Sequence, residues 1–271
     1  METPIRIAEP AMELHIDPIP SLDAWLRTSP ELHMKRLLCA GFERIYQLGA
    51  CFRQGERGER HNPEFTMLEW YRADADYLDM LAETKALIAA VAESALGRTG
   101  IEYRSQKIEL MPSWELITVE EAFGSFAGWN PVERFDAGRF DLDLVNKVEP
   151  NLPKNCPVVL MNYPAEAAAL ARVKKTDPRV AERWELYIGG IEIANAFSEL
   201  TDPAEQRARF DSCARARREM GKSVFPLDEK FLSDMAGGFP PSGGVALGTD
   251  RLVMLFSGAA SLDEIMPFRE A

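Results

Sequence analysis

The sequence predicts an α+β fold, an antiparallel sheet flanked by helices, on two observations. Apolar runs of strand length recur at 44–52, 64–72, 184–188, 191–198 and 243–248, and the third and fourth are separated only by Gly189-Gly190. A two-residue turn joins antiparallel strands, whereas parallel pairing needs a long crossover. Stretches with helical apolar spacing, at 76–96 and 202–222, lie between the strand runs. Helices inserted between hairpins favour an antiparallel sheet with helical cover over a doubly wound parallel one.

The elements follow in chain order. The start holds Pro4, Pro10, Pro18 and Pro20 and reads as loop. In "TSPELHMKRLL" (28–38), Ser29 is a natural N-cap, Pro30 fits the first helical position and Glu31 gains from the helix dipole. The strand at 44–52 leads through Arg53 into the charged loop "QGERGER" and then into 64–72. There, period-two alternation places Phe65, Met67, Glu69 and Tyr71 on one face and Thr66, Leu68 and Trp70 on the other, which reads as the core face. The segment "EPNLPKNCP" at 149–157 reads as loop, and Asp202 and Pro203 are an N-cap and first helical residue for 202–222. The glycines at 243, 244 and 248 precede Thr249, a candidate N-cap for an apolar helix whose first turn holds Asp250 and Arg251.

Composition narrows the class. At 271 residues with 46% hydrophobic content, one large core is affordable and a single domain over 1–271 is the expectation. The formal charge of −12 gives no footprint for a polyanion, so tRNA or other nucleic acid is a poor first partner. Cys39, Cys51, Cys156 and Cys213 form no CxxC and make no zinc spacing with His15, His33 and His61. With no signal peptide pattern and no apolar run of spanning length, a soluble cytoplasmic chain without membrane attachment is expected.

Three stretches suggest chemistry. Around the first loop, Arg53, Arg57, Arg60 and His61 can meet an anion while Phe65 offers a flat face to a base; a solvated hairpin tip would look the same. Across the Gly189-Gly190 turn, Ile188 faces Ile191 and Tyr187 faces Glu192, which makes Glu185 and Glu192 a diagonal pair on one face. Two such carboxylates repel unless a hard cation such as magnesium lies beside them, although two solvent-exposed glutamates on an edge hairpin fit the pattern too. Strict alternation puts Asn195, Phe197 and Glu199 on the opposite face from Glu192, so a shared pocket requires a bulge near Ala194. The third is the glycine-rich strand, which admits a ligand close to its backbone, with Arg251 near a helix N-terminus for a phosphate.

The blocks "TSPELHMKRLL", "FRQGERGERHNPEFTMLEWY", "RVAERWELYIGGIEIANAFSEL" and "GVALGTDRLVML", in that order, resemble the class II aminoacyl-tRNA synthetases of the lysine type. They most closely resemble the short relatives of these enzymes, the elongation factor P lysine ligases. The resemblance implies a class II synthetase catalytic core, with ATP and Mg2+ as cofactors. It implies catalytic roles for Arg53, on the α-phosphate and the substrate carboxylate, and for Arg251. ATP binding would fall to Arg53, Glu56, His61, Phe65, Glu185, Glu192, Gly248 and Arg251, with Glu185 and Glu192 holding the metal. Ser29, Glu31, Glu69, Tyr71, Asn195, Glu199 and Ala246 would form the amino-acid pocket.

The chain departs from the synthetase pattern at Arg53-Gln54-Gly55, where Arg-Asn-Glu is usual, and at Ala246, where glycine is usual and alanine resembles the elongation factor P ligases. The added methyl should disfavour the ordinary α-amino acid relative to a differently shaped isomer, and the resemblance to the ligases implies (R)-β-lysine. Of the family's motif 1 helix, which builds its homodimer, only the end at Pro4 is expected here, because either the true start lies upstream or this is a shortened version, and no anticodon-binding barrel is expected. The expected function is therefore activation of lysine or (R)-β-lysine as an adenylate and transfer to a lysine of elongation factor P. Aminoacylation of tRNA, or ATP binding by a catalytically weak paralogue, are the alternatives.

Overall fold

The computed structural model describes residues 1–269. A small antiparallel sheet in the order β1-β3-β2 occupies the proline-rich start: β1 (Arg6–Ile7), β2 (Pro20–Ser21) and β3 (Ala24–Leu26), where the sequence suggested only loop. Helix α1 (Glu31–Cys39), the long hairpin β4 (Arg44–Phe52) and β5 (Glu64–Ala73), and helix α2 (Tyr77–Leu96) follow. A small hairpin, β6 (Gly100–Tyr103) and β7 (Gln106–Glu109), precedes β8 (Glu115–Thr118), α3 (Val119–Phe126) and α4 (Ala137–Asp143). Helix α4 runs on through a π turn at Leu144–Val148 and a 3-10 turn at Glu149–Asn151 to β9 (Val158–Met161). The second hairpin is β10 (Arg183–Ile188) and β11 (Ile191–Ser198), and the chain then passes through α5 (Pro203–Glu219), α6 (Glu229–Ala236), β12 (Ser242–Gly248) and α7 (Thr249–Ser257).

The main sheet has seven strands in the order β4-β5-β12-β11-β10-β9-β8. Every pairing is antiparallel except β8 with β9 at one edge. Strand β12, late in sequence, is thus inserted between the two hairpins and joins them into one surface.

Helices α2 and α7 cover one face. Their Met80, Ile88, Met254 and Leu255 are buried with Trp184, Leu186, Ile188, Val245 and Leu247 of the sheet. Asp76 caps α2 through a reciprocal capping box with Asp79, and Gly97 ends it in the left-handed conformation. The other face is closed only at its two sides. One side is filled by Leu32, Met34 and Leu38 of α1 with Phe210 of α5 and Phe231 and Met235 of α6, and the other by Phe123, Phe140 and Val148 with Tyr163. Between these clusters the sheet face is open to a cavity.

The Gly189-Gly190 turn forms as the sequence indicated, with both glycines at positive φ (61° and 76°) and Ile188 opposite Ile191. A bulge is present as well. Tyr187 pairs with Glu192 and Leu186 with Ala194, so Ile193 is the extra residue. From there Glu185 faces Asn195 and Arg183 faces Phe197, which returns Asn195 and Phe197 to the face of Glu192.

Three local expectations are corrected. Helix α1 starts at Glu31, with Pro30 rather than Ser29 at the cap position, although the Ser29 hydroxyl does accept the Glu31 N–H at 2.9 Å. Gly248, not Thr249, precedes α7, and the Thr249 hydroxyl is buried without a hydrogen bond among the described residues, while Asp250 accepts the N–H of Thr66 across to β5. On β5 the more deeply buried residues are Met67, Glu69 and Tyr71, while Leu68 and Trp70 are only partly buried behind them. The cavity face is roofed by helices and loops the sequence did not place there, so it is an interior surface.

Trp184 is fully buried, and its indole N–H donates to the carbonyl of Tyr77 at 2.6 Å, tying β10 to the start of α2. Trp184→Ala is expected to cost about 3–5 kcal/mol, read as a lowered midpoint of urea unfolding.

Candidate active site

The cavity on the open sheet face has a volume of about 810 Å³. Every residue named above for ATP, metal or amino acid lines it: Ser29, Glu31, Arg53, Glu56, His61, Phe65, Glu69, Tyr71, Glu185, Glu192, Asn195, Glu199, Ala246, Gly248 and Arg251. Arg60 lines it too, but Arg57 points elsewhere and donates to Asn62 at 3.3 Å.

Register explains the convergence. Across three strands Glu69 of β5, Ala246 of β12 and Asn195 of β11 stand in one row, and Tyr71, Gly244 and Phe197 stand in the next. Glu69 is buried; its carboxylate accepts the Ser29 hydroxyl at 2.8 Å and the Tyr71 hydroxyl at 2.5 Å. Glu199, just beyond β11, is 1% exposed and pairs with the Lys35 ammonium at 2.5 Å, while Glu31 pairs with the same ammonium at 2.5 Å. A Cβ at Gly244 would overlap the Glu199 carboxylate and the Tyr71 ring, so only glycine leaves this corner its shape.

These carboxyls are perturbed. Burial pushes Glu69 up to about 8, with Glu31 adding to the effect and the Tyr71, Ser29 and Lys35 contacts opposing it. Burial also raises Glu199 to about 7, against the pull of Lys35. Burial alone would depress the Lys35 ammonium, but Glu199 and Glu31 more than offset it and hold the group protonated.

At the other end of the cavity the charges are cationic. The Arg53 guanidinium lies over the Phe65 ring at 5.0 Å and approaches Glu56 at 3.8 Å, and its Nε is buried without a partner among the described residues. Arg251 contacts Glu192 at 3.2 Å and the His61 ring nitrogen at 2.7 Å. Burial and then Arg251 lower the His61 pKa, so its imidazole is neutral and accepts from the guanidinium.

Beside this pair lies the carboxylate pair. Glu185 pairs with Arg183 at 2.6 Å and accepts the Tyr187 hydroxyl at 2.7 Å. Glu192 is raised by burial and by Glu185, with Arg251 opposing. Among the described residues no group of three or more His, Cys, Asp or Glu side chains is placed to hold a metal by itself. Two carboxylates at a cavity wall fit magnesium, which keeps most of its ligands as waters and phosphate oxygens.

Several groups in or behind the cavity wall were not picked out from the sequence. Lys35 was detectable as an i, i+4 partner of Glu31. Arg183, stacked over Tyr163 at 4.3 Å, and Glu13 gave no local signal. Glu13 belongs to a strap, residues 12–16, whose backbone is held by the fully buried Arg217: the guanidinium donates to the Glu13 carbonyl at 2.6 Å and pairs with Asp17. Burial raises the Glu13 carboxyl to about 7, with Arg53 opposing and Glu31 assisting.

The family model for class II tRNA synthetases (D, K and N) matches residues 13–271. The lysine–tRNA ligase of Pelotomaculum thermopropionicum is 41% identical over 271 aligned residues, covering 91% of this chain and 53% of that protein. That of Nostoc punctiforme is 36% identical over 269, covering 91% and 48%. The elongation factor P–(R)-β-lysine ligase of Hamiltonella defensa is 42% identical over 254, covering 92% of this chain and 78% of that protein. The chain therefore spans about half the length of the lysine–tRNA ligases it matches. Among the described residues no helix is long and apolar enough to cross a membrane.

The raised carboxyls make stability depend on pH. Glu69 near 8 and Glu199 and Glu13 near 7 bind protons in the folded chain that the unfolded chain has already released above its ordinary value of 4.5. Stability from these groups therefore falls as pH rises through the window between about 4.5 and 8. The thermal midpoint of the ligand-free protein is expected to be lower at pH 8.5 than at pH 6, and Glu69→Gln, which imitates the protonated acid, should reduce the difference. A midpoint that rises over this range contradicts the assignment.

Proposed function

Because the chain belongs to the class II tRNA synthetases of the D, K and N type, we propose that it uses ATP to activate lysine or (R)-β-lysine and transfers the aminoacyl group to a lysine side chain of elongation factor P. The observation that carries the substrate class is the set of half-buried Glu31 and buried Glu69 and Glu199, which presents carboxylates to ammonium groups at one end of a cavity whose other end holds Arg53 and Arg251. A diamino acid with one carboxylate has the complementary charge order.

The proposed chemistry is positional. A substrate carboxylate oxygen attacks the α-phosphorus, the bond to the β-phosphate oxygen breaks, and pyrophosphate leaves. Arg53 faces the carboxylate and α-phosphate and stabilises the charge gathering there, its unpartnered Nε being free to donate. Arg251 and His61 receive the outer phosphates, with Phe65 beneath the adenine. Glu185 and Glu192 would hold magnesium, which supplies charge neutralisation on the phosphates. In the second step the acceptor amine nitrogen attacks the adenylate carbonyl, AMP leaves and the amine loses a proton. No protein nucleophile enters either step.

For the acceptor, support comes from the 42% identity to a ligase named for elongation factor P and from Ala246, which stands between Glu69 and Asn195. Its methyl narrows the pocket where the substrate's amino-bearing carbon would lie. Similar identity to lysine–tRNA ligases keeps tRNA as the second acceptor, although a net charge of −12 gives a polyanion little attraction.

Amino-acid-dependent exchange of pyrophosphate into ATP is expected with (R)-β-lysine above α-lysine. Ala246→Gly should move the ratio toward α-lysine by about 10-fold, the scale of one methyl in a pocket. Transfer of labelled substrate to elongation factor P but not to tRNA completes the test. Exchange with neither isomer overturns the substrate, and charging of tRNA alone overturns the acceptor. Arg53→Ala should lower the exchange kcat by about 10²–10³, the cost of removing one donor to transition-state charge.

A further inference from the structure

Lys35 is the fully buried cation of the cavity, 1% exposed, on the inner face of α1 one turn after Glu31. Its ammonium is shared between Glu31 and Glu199, each at 2.5 Å, and both carboxylates line the cavity while Lys35 itself lies behind them. Three more groups face this cluster: Glu69 and Tyr71 from β5 and the Ser29 hydroxyl, with Glu13 on the strap at longer range.

Counted with all carboxylates ionised, Glu31, Glu69 and Glu199 carry three negative charges and Lys35 one positive. The remainder is two, the charge of a diammonium substrate. We propose that Lys35 is a positioning and specificity-determining residue: it holds Glu31 and Glu199 in place and sets the pocket's uncompensated charge at the value a diammonium amino acid neutralises. The inference rests on the substrate class proposed above and assigns its charge selectivity to a residue that does not touch the substrate.

The alternative to Lys35 is a proton. Burial already holds Glu69 and Glu199 up at about 8 and 7 with Lys35 present; without the ammonium the three carboxylates keep one further proton, because removing a near cation raises a carboxyl pKa by about 1–3 units. A protonated pocket then competes with substrate, and the competition weakens as pH rises. A residue that only braced the helix would change affinity equally at all pH values.

The test compares wild type, Lys35→Met and Lys35→Arg. Carboxyl-carbon NMR of the ligand-free proteins should show Glu199 titrating at least one unit higher in Lys35→Met and within half a unit of wild type in Lys35→Arg. In pyrophosphate exchange with the preferred lysine isomer, KM for Lys35→Met should rise at least 10-fold at pH 7 with kcat changed less. The ratio of its KM to that of wild type should shrink at pH 9. Unchanged titration in Lys35→Met, or a KM defect independent of pH, overturns the role of Lys35. If Lys35→Met does not fold, a shift above one unit in Lys35→Arg overturns it. Wild type that binds neither lysine isomer overturns the substrate class and this inference with it, whereas binding by wild type with an unmoved Lys35→Met titration overturns the role of Lys35 alone.

Discussion

One extra residue in β11 decides what this sheet can hold. Without the bulge at Ile193, Asn195 and Phe197 would point to the face that carries Trp184, Leu186 and Val245, among the side chains of α2 and α7. An asparagine there would be buried without partners, at a cost of about 1–3 kcal/mol for each unsatisfied group. With the bulge, β11 presents Glu192 toward one end of the cavity and Asn195, Phe197 and then Glu199 toward the other. Ile193 itself stays in the core, 2% exposed, so the irregularity preserves the apolar layer while reversing the strand's polar side.

The second consequence is electrostatic. Gathering Glu31, Glu69, Glu185, Glu192 and Glu199 on one interior surface is unfavourable unless each is compensated, since an isolated buried charge costs several kcal/mol. The fold compensates locally and from different elements: Arg183 for Glu185, Arg251 for Glu192, Lys35 for Glu31 and Glu199, and two hydroxyls for Glu69. The compensation is incomplete at Glu69 and Glu199, whose pKa values remain raised toward neutrality, chiefly by burial. Under the proposed function, a cationic substrate would complete this arrangement. The strap over the cavity is fastened by the buried Arg217 through backbone carbonyls and by Met12, buried in the cluster of α1, α5 and α6, which keeps Glu13 near Arg53.

Strand limits at 44–52 and 191–198, the Gly189-Gly190 turn and the α5 cap at Asp202 were legible because each depends on residues adjacent in sequence. The need for a bulge was legible too, as a conflict between alternation and the grouping of Glu192 with Asn195. Its place, expected near Ala194, is the adjacent Ile193; the exact residue depends on how β10 and β11 pair and on which side chain the core accepts. The neighbours of the site were harder. Arg183, Glu13 and Arg217 act through contacts up to 204 residues apart in sequence, and no local pattern marks them. Edge strand β8, paired in parallel, and helices α3 and α4 were likewise missed, since their positions follow from tertiary packing.

Charge and shape have separate tasks in this cavity. Strand β12 places Gly244 and Ala246 on the cavity face and Gly248 at its end, so its side chains contribute little more than one methyl. Groups of that size discriminate weakly, about 10- to 200-fold per methylene, and suit a choice between isomers of one compound. Under the proposed function, the carboxylates around Lys35 would discriminate more strongly, because a ligand lacking one ammonium would leave a buried polar group unpaired, and losses of that kind reach about 10⁴–10⁵. On the proposed substrate, changes on β12 alter which isomer is used, while changes at Glu31, Lys35, Glu69 or Glu199 alter whether a diamino acid is used at all.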